Sequence, residues 1–407
     1  MADTSTGTAS PAPAYPMPRA TGCPFDPAPE LLTQRERGRL VRVRLWDGST
    51  PWLVTRHADQ RALLLDPRVS ADFTKPGYPL QTARTEDDPD DIGFITMDDP
   101  EHARLRRMVT APFTLRRVEA LRPGVQQIVD DLIDGMLAEP GPVDLVRAFA
   151  LPVPSLVICA LLGVPYEDHD FFQEESRTLI RLNVPRKEQT AALDRLVAYL
   201  EKLLDDKAEH PAEDLLSDLA ARIATGELTR EGAARIGVLL LIAGHETTAN
   251  MIALGTAALL AHPEQLALLR DTDDPEVIAA AVEELLRYLT IVHNGRRRAV
   301  LADIEFAGEV IRAGEGLILP NELANRDPDV FPDPDRLDLT RGNRRHVAFG
   351  FGVHQCLGQP LTRMELQVVY GTLYRRIPAL RLATAAERLP YKHDGSIYGV
   401  YELPVTW

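Results

Sequence analysis

The sequence predicts a mainly α-helical fold that also carries small β-sheets. From Glu101 to about Leu289, apolar residues recur at helical spacing between breaks such as Pro-Gly and His-Pro. Both ends of the chain differ, because they contain short runs in which apolar and polar residues alternate around glycine turns. A long apolar segment in the second half of the chain adds a third observation, since it predicts one helix at the centre of the core.

The elements are expected in a simple order along the chain. VRVRLW and PWLVT flank the turn DGST, so a β-hairpin is predicted near the start. The stretch from Leu65 to Pro100 is rich in Asp, Pro, Gly and Thr and predicts a long loop with room for one short helix. After the helical region, AVLADIEFAGEVIRAGEGLILP predicts short strands, and the closing KHDGSIYGVYELPVTW predicts another hairpin.

The composition of the 407 residues indicates a globular protein and argues against several functions. Apolar residues make up 45% and charged residues 26%, which suffices for a large core. The net charge of -15 argues against broad nucleic-acid binding and against an anionic membrane surface, which both favour a basic face. Three scattered cysteines form no disulfide framework, as expected of a cytoplasmic protein. We predict a flexible tail over residues 1–22, followed by one domain over residues 23–407.

The apolar segment IGVLLLIAGHETTANMIALGTAALLA, residues 236–261, is long enough to span a membrane. Its middle carries polar residues from His245 to Asn250, which would be costly in lipid, so a helix buried in a protein core is the better interpretation. The zinc motif H-E-x-x-H is excluded, because the fourth residue after His245 is Ala249.

Two side chains in this segment suggest chemistry. A carboxyl group such as Glu246 is costly inside a core, so it indicates either a wet groove with proton transfer or a capped, solvent-facing side chain. Gly244 lacks side-chain bulk, and the Thr247 hydroxyl can bond to the carbonyl of Ala243, which would open the helix locally. The segment therefore predicts a pocket for a small ligand.

The stretch AFGFGVHQCLGQP places three glycines around Cys356. A dinucleotide fingerprint is excluded, because Gln355 stands where the third glycine of G-x-G-x-x-G belongs. A C-x-x-C redox or zinc site is also excluded, since the nearest other cysteine in the sequence is Cys159. A single thiolate held by flexible backbone remains.

Three motifs together resemble the cytochrome P450 family, and in particular the soluble heme-thiolate monooxygenases of actinobacteria. The first motif, F-x-x-G-x-x-x-C-x-G, is met by Phe349, Gly352, Cys356 and Gly358. The second, E-x-x-R, is met by Glu284 and Arg287. The third, A/G-G-x-D/E-T, is met by Ala243, Gly244, Glu246 and Thr247. The resemblance runs from about Phe25 to the C-terminus. It implies the cytochrome P450 fold, with a long central helix over the heme.

The resemblance also implies a cofactor site for heme b, which is iron protoporphyrin IX, with dioxygen as co-substrate. Cys356 would be the axial ligand of the iron, Thr247 would contact dioxygen, and Glu246 would relay protons. The heme propionates would be bound by His102, Arg106, Arg298 and His354, although the run Arg296, Arg297, Arg298 leaves that register open by one residue. Further cofactor contacts are implied at Ala243, Gly244, Phe349, Gly350 and Gly358. Arg336 would join Glu284 and Arg287 in a buried ion network.

The implied substrate pocket is mostly apolar and predicts a lipophilic natural product, such as a macrolide, a terpenoid or a steroid-like molecule, that is hydroxylated or epoxidised. Its implied lining is Ile95, Leu179, Val184, Leu240, Ala243, Ile291, Val292, His293 and Ile397. His293 is either a polar handle for the substrate or a surface histidine. A heme-based ligand-binding or sensor protein without turnover is the alternative, while a peroxide-driven peroxygenase should lack the pair Glu246 and Thr247.

The chain has no flavin or nicotinamide domain of its own, so its electrons must come from partners. By resemblance these are a ferredoxin and an NAD(P)H-dependent ferredoxin reductase. Arg104, Arg107, Arg344 and Arg345 are the expected docking face for the acidic carrier. We expect a cytoplasmic monomer without nucleic-acid or membrane partners.

Overall fold

The computed structural model of the chain describes residues 12–20, 22, 24–83 and 93–407. Thirteen α-helices occur among these residues, which confirms the mainly helical fold with small sheets. They are α1 (Pro29–Arg37), α2 (His57–Leu65), α3 (Glu101–Val109), α4 (Leu115–Ala138), α5 (Pro152–Leu162), α6 (His169–Ile180), α7 (Arg186–Glu209), α8 (Leu215–Ala224), α9 (Arg230–Ala261), α10 (Pro263–Arg270), α11 (Pro275–Tyr288), α12 (Asn321–Asn325) and α13 (Gln359–Arg376).

Ten short strands form three sheets beside the helices. They are β1 (Leu40–Arg42), β2 (Trp52–Val54), β3 (Val69–Ser70), β4 (Val143–Asp144), β5 (Arg296–Val300), β6 (Ile304–Phe306), β7 (Glu309–Ile311), β8 (Gly316–Leu319), β9 (Arg381–Leu382) and β10 (Pro404–Thr406). The largest sheet has the order β1-β2-β8-β5-β3, and within it only β2 and β8 run parallel. The other two sheets are β4-β10-β9 and the hairpin β6-β7.

The predicted hairpin near the start exists as β1 and β2, with Leu40 opposite Val54. The predicted long loop between Leu65 and Pro100 contains β3 and a short 3-10 turn at Phe94–Thr96, while residues 84–92 lie outside the described part.

The N-terminal segment is more ordered than its composition predicts. Tyr15 and Met17 are only 5% and 8% exposed and pack in a cluster with residues of the largest sheet, and Ala14 pairs with Arg44 as a parallel bridge. The Arg19 guanidinium lies 4.0 Å from the ring centroid of Tyr398. The flexible tail over residues 1–22 stays a prediction: residues 1–11 and 21 lie outside the described part, while two large apolar side chains within residues 12–20 pack against the folded chain.

Helix α9 runs through the core, as its apolar sequence predicts. Its first turn is capped by the Thr229 side chain, which accepts a hydrogen bond from the backbone N–H of Gly232. It is the one helix among the described residues that is long and apolar enough to cross a membrane, yet 78% of its most apolar window is buried inside the protein. Helices α5 and α7 pack against it, and Gly244 permits the close approach of α5, since a Cβ there would lie 2.6 Å from the Ile158 side chain.

Candidate active site

The loop before α13 folds back on itself and presents Cys356. The backbone N–H of Cys356 donates to the carbonyl of Phe349 at 2.8 Å, which closes the loop across seven residues of sequence. Gly350 and Gly352 make this possible, because their φ angles of +75° and +77° lie in the left-handed region. At Gly352 a side chain would also collide with the carbonyl oxygen of Leu64. Helix α13 then begins at Gln359, with Pro360 in its first turn.

The Cys356 thiol lies near the backbone of Gly358 and several arginine side chains. Its side chain is accessible, yet burial by the surrounding protein raises the pKa of the thiol. The N–H of Gly358 and the guanidinium groups of Arg296, Arg106 and Arg363 act in the opposite direction and favour the thiolate. The sulfur is therefore placed where a bound cation or metal would complete the stabilisation of its charge.

Histidine and arginine side chains gather near the cysteine loop. The rings of His102 and His354 lie 4.1 Å apart, and the buried Nε2 of His102 has no hydrogen-bond partner. The pKa of His354 falls to about 3, because burial and the nearby Arg298, His102 and Arg106 all disfavour its protonated form. Arg106 donates to the carbonyl of Gln355 at 2.6 Å and Arg298 to that of Arg297 at 2.7 Å.

These arginines fit a doubly anionic ligand. Among the described residues, Arg106, Arg296 and Arg298 form no ion pair, and the hydrogen bonds of their side chains go to carbonyl or amide oxygens. Burial, with Arg298 nearby, lowers the pKa of Arg296 to about 10. Uncompensated cations in a buried place are costly, so this arrangement suits carboxylates such as the propionates of a heme.

The geometry of strand β5 determines which of the three consecutive arginines share a face. Successive residues of a strand point to opposite faces, so Arg296 and Arg298 share one face while Arg297 lies on the other. Arg297 donates to the carbonyl of Pro79, away from the cysteine loop. Arg298 therefore stays in the predicted set, and Arg296 is an additional member that strand alternation would have revealed.

Helix α9 carries the predicted residues Ala243, Gly244 and Thr247. The hydroxyl of Thr247 donates to the carbonyl of Ala243 at 2.8 Å, as predicted, and both residues are accessible. Gly244 behaves differently from the prediction of a cofactor contact, since the space beside it is filled by Ile158 of α5. Its missing side chain serves the packing of two helices.

The next residue but one after Gly244, Glu246, borders a cavity of about 330 Å³ whose lining includes several charged side chains. Asn250 donates to its carboxylate at 3.0 Å, and the ammonium group of Lys392 lies 3.6 Å away. Burial raises the pKa of Glu246, but Lys392, His245, Arg177 and Asn250 together outweigh it, so the pKa is below its usual value. The cavity has room for several waters, which fits the predicted wet groove. Its lining consists of Val146, Leu151, Arg177, Arg181, Glu246, Ala249, Asn250, Ala253, Lys392, Tyr401 and Glu402.

A buried ion network lies behind the cysteine loop. The Arg287 guanidinium pairs with the Glu284 carboxylate through two hydrogen bonds of 2.7 and 2.8 Å, as the E-x-x-R spacing predicts. The third member of the network is a second cation, Arg341, whose Nε lies 3.2 Å from Glu284. The prediction that Arg336 joins this network is wrong, because its side chain is exposed and only its carbonyl accepts a bond from Arg287.

The predicted substrate-lining residues are distributed over several elements. Val292 pairs with Ile397 as an antiparallel bridge, and the N–H of Tyr398 donates to the carbonyl of Ile291, which brings these three predicted residues together. The others are placed at the end of α6 (Leu179), in the α6–α7 connection (Val184), on α9 (Leu240) and in the 3-10 turn before α3 (Ile95). Ile95 is exposed and Leu240 is buried.

His293 is neither a free polar handle nor a surface residue. Its ring is buried, its Nε2 forms a 2.6 Å hydrogen bond with the carbonyl of Gly395, and burial lowers its pKa to about 4. The predicted contact of His293 with a substrate is therefore replaced by a structural role, in which a neutral ring links two loops.

Comparison with known proteins shows similarity to one family over most of the chain. The family model of cytochrome P450 matches residues 34–377. Cytochrome P450 GfsF of Streptomyces halstedii is 56% identical over 97% of this chain and 96% of its own length. Pentalenic acid synthase of Streptomyces avermitilis is 50% identical over 99% of this chain and 100% of its own length.

Two crystal structures show the same fold over whole chains. That of GfsF has a TM-score of 0.90 at 56% identity and covers 97% of this chain and 100% of that one. That of the mycinamicin VIII C21 methyl hydroxylase MycCI from Micromonospora griseorubida, bound to mycinamicin VIII, has a TM-score of 0.89 at 44% identity, with 97% and 100% covered.

Proposed function

The chain belongs to the cytochrome P450 family, and we propose that it hydroxylates or epoxidises a lipophilic secondary metabolite with electrons from a ferredoxin. As a cytochrome P450 monooxygenase it uses heme iron and dioxygen. The observation that carries the proposal is the convergence of an accessible but enclosed Cys356 thiol with guanidinium groups that have no carboxylate partner.

We assign the cofactor as heme b, held on one side of α9. Cys356 would ligate the iron, while His102, His354, Arg106 and Arg298, with Arg296 in addition, would bind the propionates. When bound, the heme supplies the site at which dioxygen is reduced and one oxygen atom is transferred to the substrate, and a thiolate ligand favours cleavage of the oxygen–oxygen bond.

Helix α9 would supply the protons. The Glu246 carboxylate is kept ionised by Lys392, so it can take a proton from water in the polar cavity. The Thr247 hydroxyl spends its own proton on the carbonyl of Ala243, which leaves its lone pairs free to accept a hydrogen bond on the cofactor side. Glu246 would thus supply protons through water, while Thr247 would accept a hydrogen bond on the cofactor side.

The substrate class rests on the apolar character of the predicted lining. Ile291, Val292 and Ile397 lie together and provide apolar surface, which suits a macrolide, a terpenoid or a steroid-like molecule. The similarity to a mycinamicin hydroxylase and to pentalenic acid synthase supports a secondary metabolite of this kind.

The redox partner would dock near the cysteine loop. Arg107, Arg344 and Arg345 are exposed and can face an acidic ferredoxin that is served by an NAD(P)H-dependent reductase. Arg104 is less suited than expected, because it already pairs with Glu101 at 2.6 Å. We propose that the enzyme works as a cytoplasmic monomer, with residues 23–407 as its one catalytic domain.

The first test is the absorption spectrum of the reduced protein bound to carbon monoxide, beside a Cys356→His variant. A strongly red-shifted Soret band in the parent that the variant lacks supports thiolate ligation, whereas an unshifted band in the parent refutes the assigned ligand. A panel of lipophilic compounds with a ferredoxin system then follows product formation. Binding spectra without turnover of any compound would favour the alternative of a ligand-binding or sensor protein.

A further inference from the structure

A second buried ion network lies next to the first and has no part in the mechanism above. Glu283 of α11 is 1% exposed, although it directly precedes Glu284. Its carboxylate contacts the Nε2 of His346 at 2.9 Å and the Nε of Arg363 on α13 at 2.6 Å. It thereby joins helix α11, the segment before the cysteine loop and the helix after it.

The charges in this trio can be assigned from the hydrogen bonds. Burial raises the pKa of Glu283, but the bonds from His346 and Arg363 outweigh it and bring the pKa to about 2, so the carboxylate is ionised at neutral pH. The Nδ1 of His346 accepts a bond of 3.3 Å from the N–H of Ala348, so its Nε2 carries the proton that is donated to Glu283. A neutral histidine satisfies both contacts.

The trio touches the cysteine loop at two points. The guanidinium of Arg363 lies 4.6 Å from the ring centroid of Phe349, whose carbonyl accepts the bond from the N–H of Cys356. His346 holds the backbone of Ala348, the residue before Phe349. The positive charge of Arg363 also favours the ionised sulfur of Cys356.

We propose that Glu283 and Arg363 are positioning residues that set the charge around the cysteine sulfur and so set the reduction potential of the bound heme, while His346 holds Glu283 and the backbone before Phe349 in place through neutral hydrogen bonds. This inference rests on the proposed function, since it presupposes heme ligation by Cys356. Arg363 supplies a positive charge beside the ligand, and Glu283 both anchors that charge and partly cancels it. The effective charge near the sulfur then depends on both groups: loss of Glu283 makes it more positive, and loss of Arg363 makes it more negative.

The test measures the midpoint potential of the substrate-free, heme-loaded enzyme in three variants. Glu283→Gln leaves Arg363 uncompensated and is expected to favour the ferrous state, because reduction adds negative charge to the site. Arg363→Gln leaves Glu283 uncompensated and is expected to favour the ferric state. Each change should alter the ferrous-to-ferric ratio at a fixed potential by about tenfold, which corresponds to about 59 mV for one electron.

His346→Gln separates charge from packing, because it keeps the number of charges and still offers a donor to Glu283. Its potential should stay close to that of the parent. Arg375→Gln, an exposed arginine on the same helix α13, is the matched control for charge alone and should also leave the potential close to the parent value.

Opposite shifts in Glu283→Gln and Arg363→Gln support the proposal, since a merely structural disturbance gives no reason for opposite signs. Shifts of the same sign, no shift, or a shift in Arg375→Gln as large as that in Arg363→Gln would overturn it. The thiolate signature of the reduced carbon monoxide complex is recorded for every variant. A parent without that signature refutes the proposed function, while a parent with it and unshifted variants refutes only this inference.

Discussion

Replacement of Arg287 by methionine should destabilise the protein more than replacement of any other arginine near the cysteine loop. The Arg287 side chain is fully buried and donates five hydrogen bonds. Two go to the Glu284 carboxylate, and three go to backbone carbonyls, one at the last residue of α12 and two in the loop that follows it. Methionine fills a similar length but donates none of these bonds. The loss of stability therefore comes from a buried carboxylate without its main partner and from carbonyl groups left without a donor.

The magnitude follows from the cost of breaking a buried ion pair. Removing one partner of such a pair costs about 3–5 kcal/mol, because the other charge remains buried. Glu284 keeps part of its compensation, since it still contacts Arg341 and accepts a bond from the N–H of Asp338. We therefore expect about 4 kcal/mol for Arg287→Met, and about 1–2 kcal/mol for Arg341→Met, which removes the longer contact to the same carboxylate.

Arg336→Met is the control, because it removes an arginine from the same loop without removing a contact to Glu284. Arg336 lies in the same loop, but its side chain is exposed, so its loss should change the free energy of unfolding by less than about 0.5 kcal/mol. Urea unfolding of the heme-loaded variants, followed by far-ultraviolet circular dichroism, gives the differences. An effect of Arg336→Met equal to or larger than that of Arg341→Met would refute the assignment of Arg341 to this network.

Two further predictions concern the proton path through α9. Thr247→Ala should keep electron consumption near the parent rate but lower the product formed per electron to about a tenth, with peroxide released instead. The reason is that a positioned proton-transfer group contributes at least a tenfold effect. An unchanged ratio of product to electrons consumed would contradict the assigned role of Thr247. Lys392→Met should raise the pKa of Glu246 by removing the ammonium group 3.6 Å from its carboxylate, so the acidic limb of the activity profile moves to higher pH, whereas Lys392→Arg should leave it in place.

Interactions between residues close in sequence were predictable, because helix geometry fixes their neighbours. The bond from Thr247 to Ala243 spans four residues and the pair Glu284 and Arg287 spans three, and both are found in the structure. The bond from Asn250 to Glu246 follows the same rule and could have been predicted as well. Mid-helix polar residues could therefore be interpreted from the sequence alone.

Interactions that depend on loop conformation could not be predicted in this way. Arg336 and Arg341 occur in one loop, and only its path brings Arg341 rather than Arg336 to Glu284. His293 meets the carbonyl of Gly395, which is about a hundred positions away along the chain. In both cases the sequence indicates that a polar partner is needed, but many groups satisfy that need equally well until the backbone is in place.

In the proposed function, two adjacent residues of α9 meet two different chemical needs. Successive residues of an α-helix are rotated by about 100°, so neighbours necessarily point in different directions. Glu246 borders the cavity with Lys392 and Asn250, whereas the Thr247 hydroxyl donates to the carbonyl of Ala243 one turn earlier on the helix. A hydroxyl at the position of Glu246 would have no ionised state near neutral pH with which to collect protons. The order acid then alcohol, without a residue between them, is thus the shortest sequence that places each group in the environment its chemistry requires.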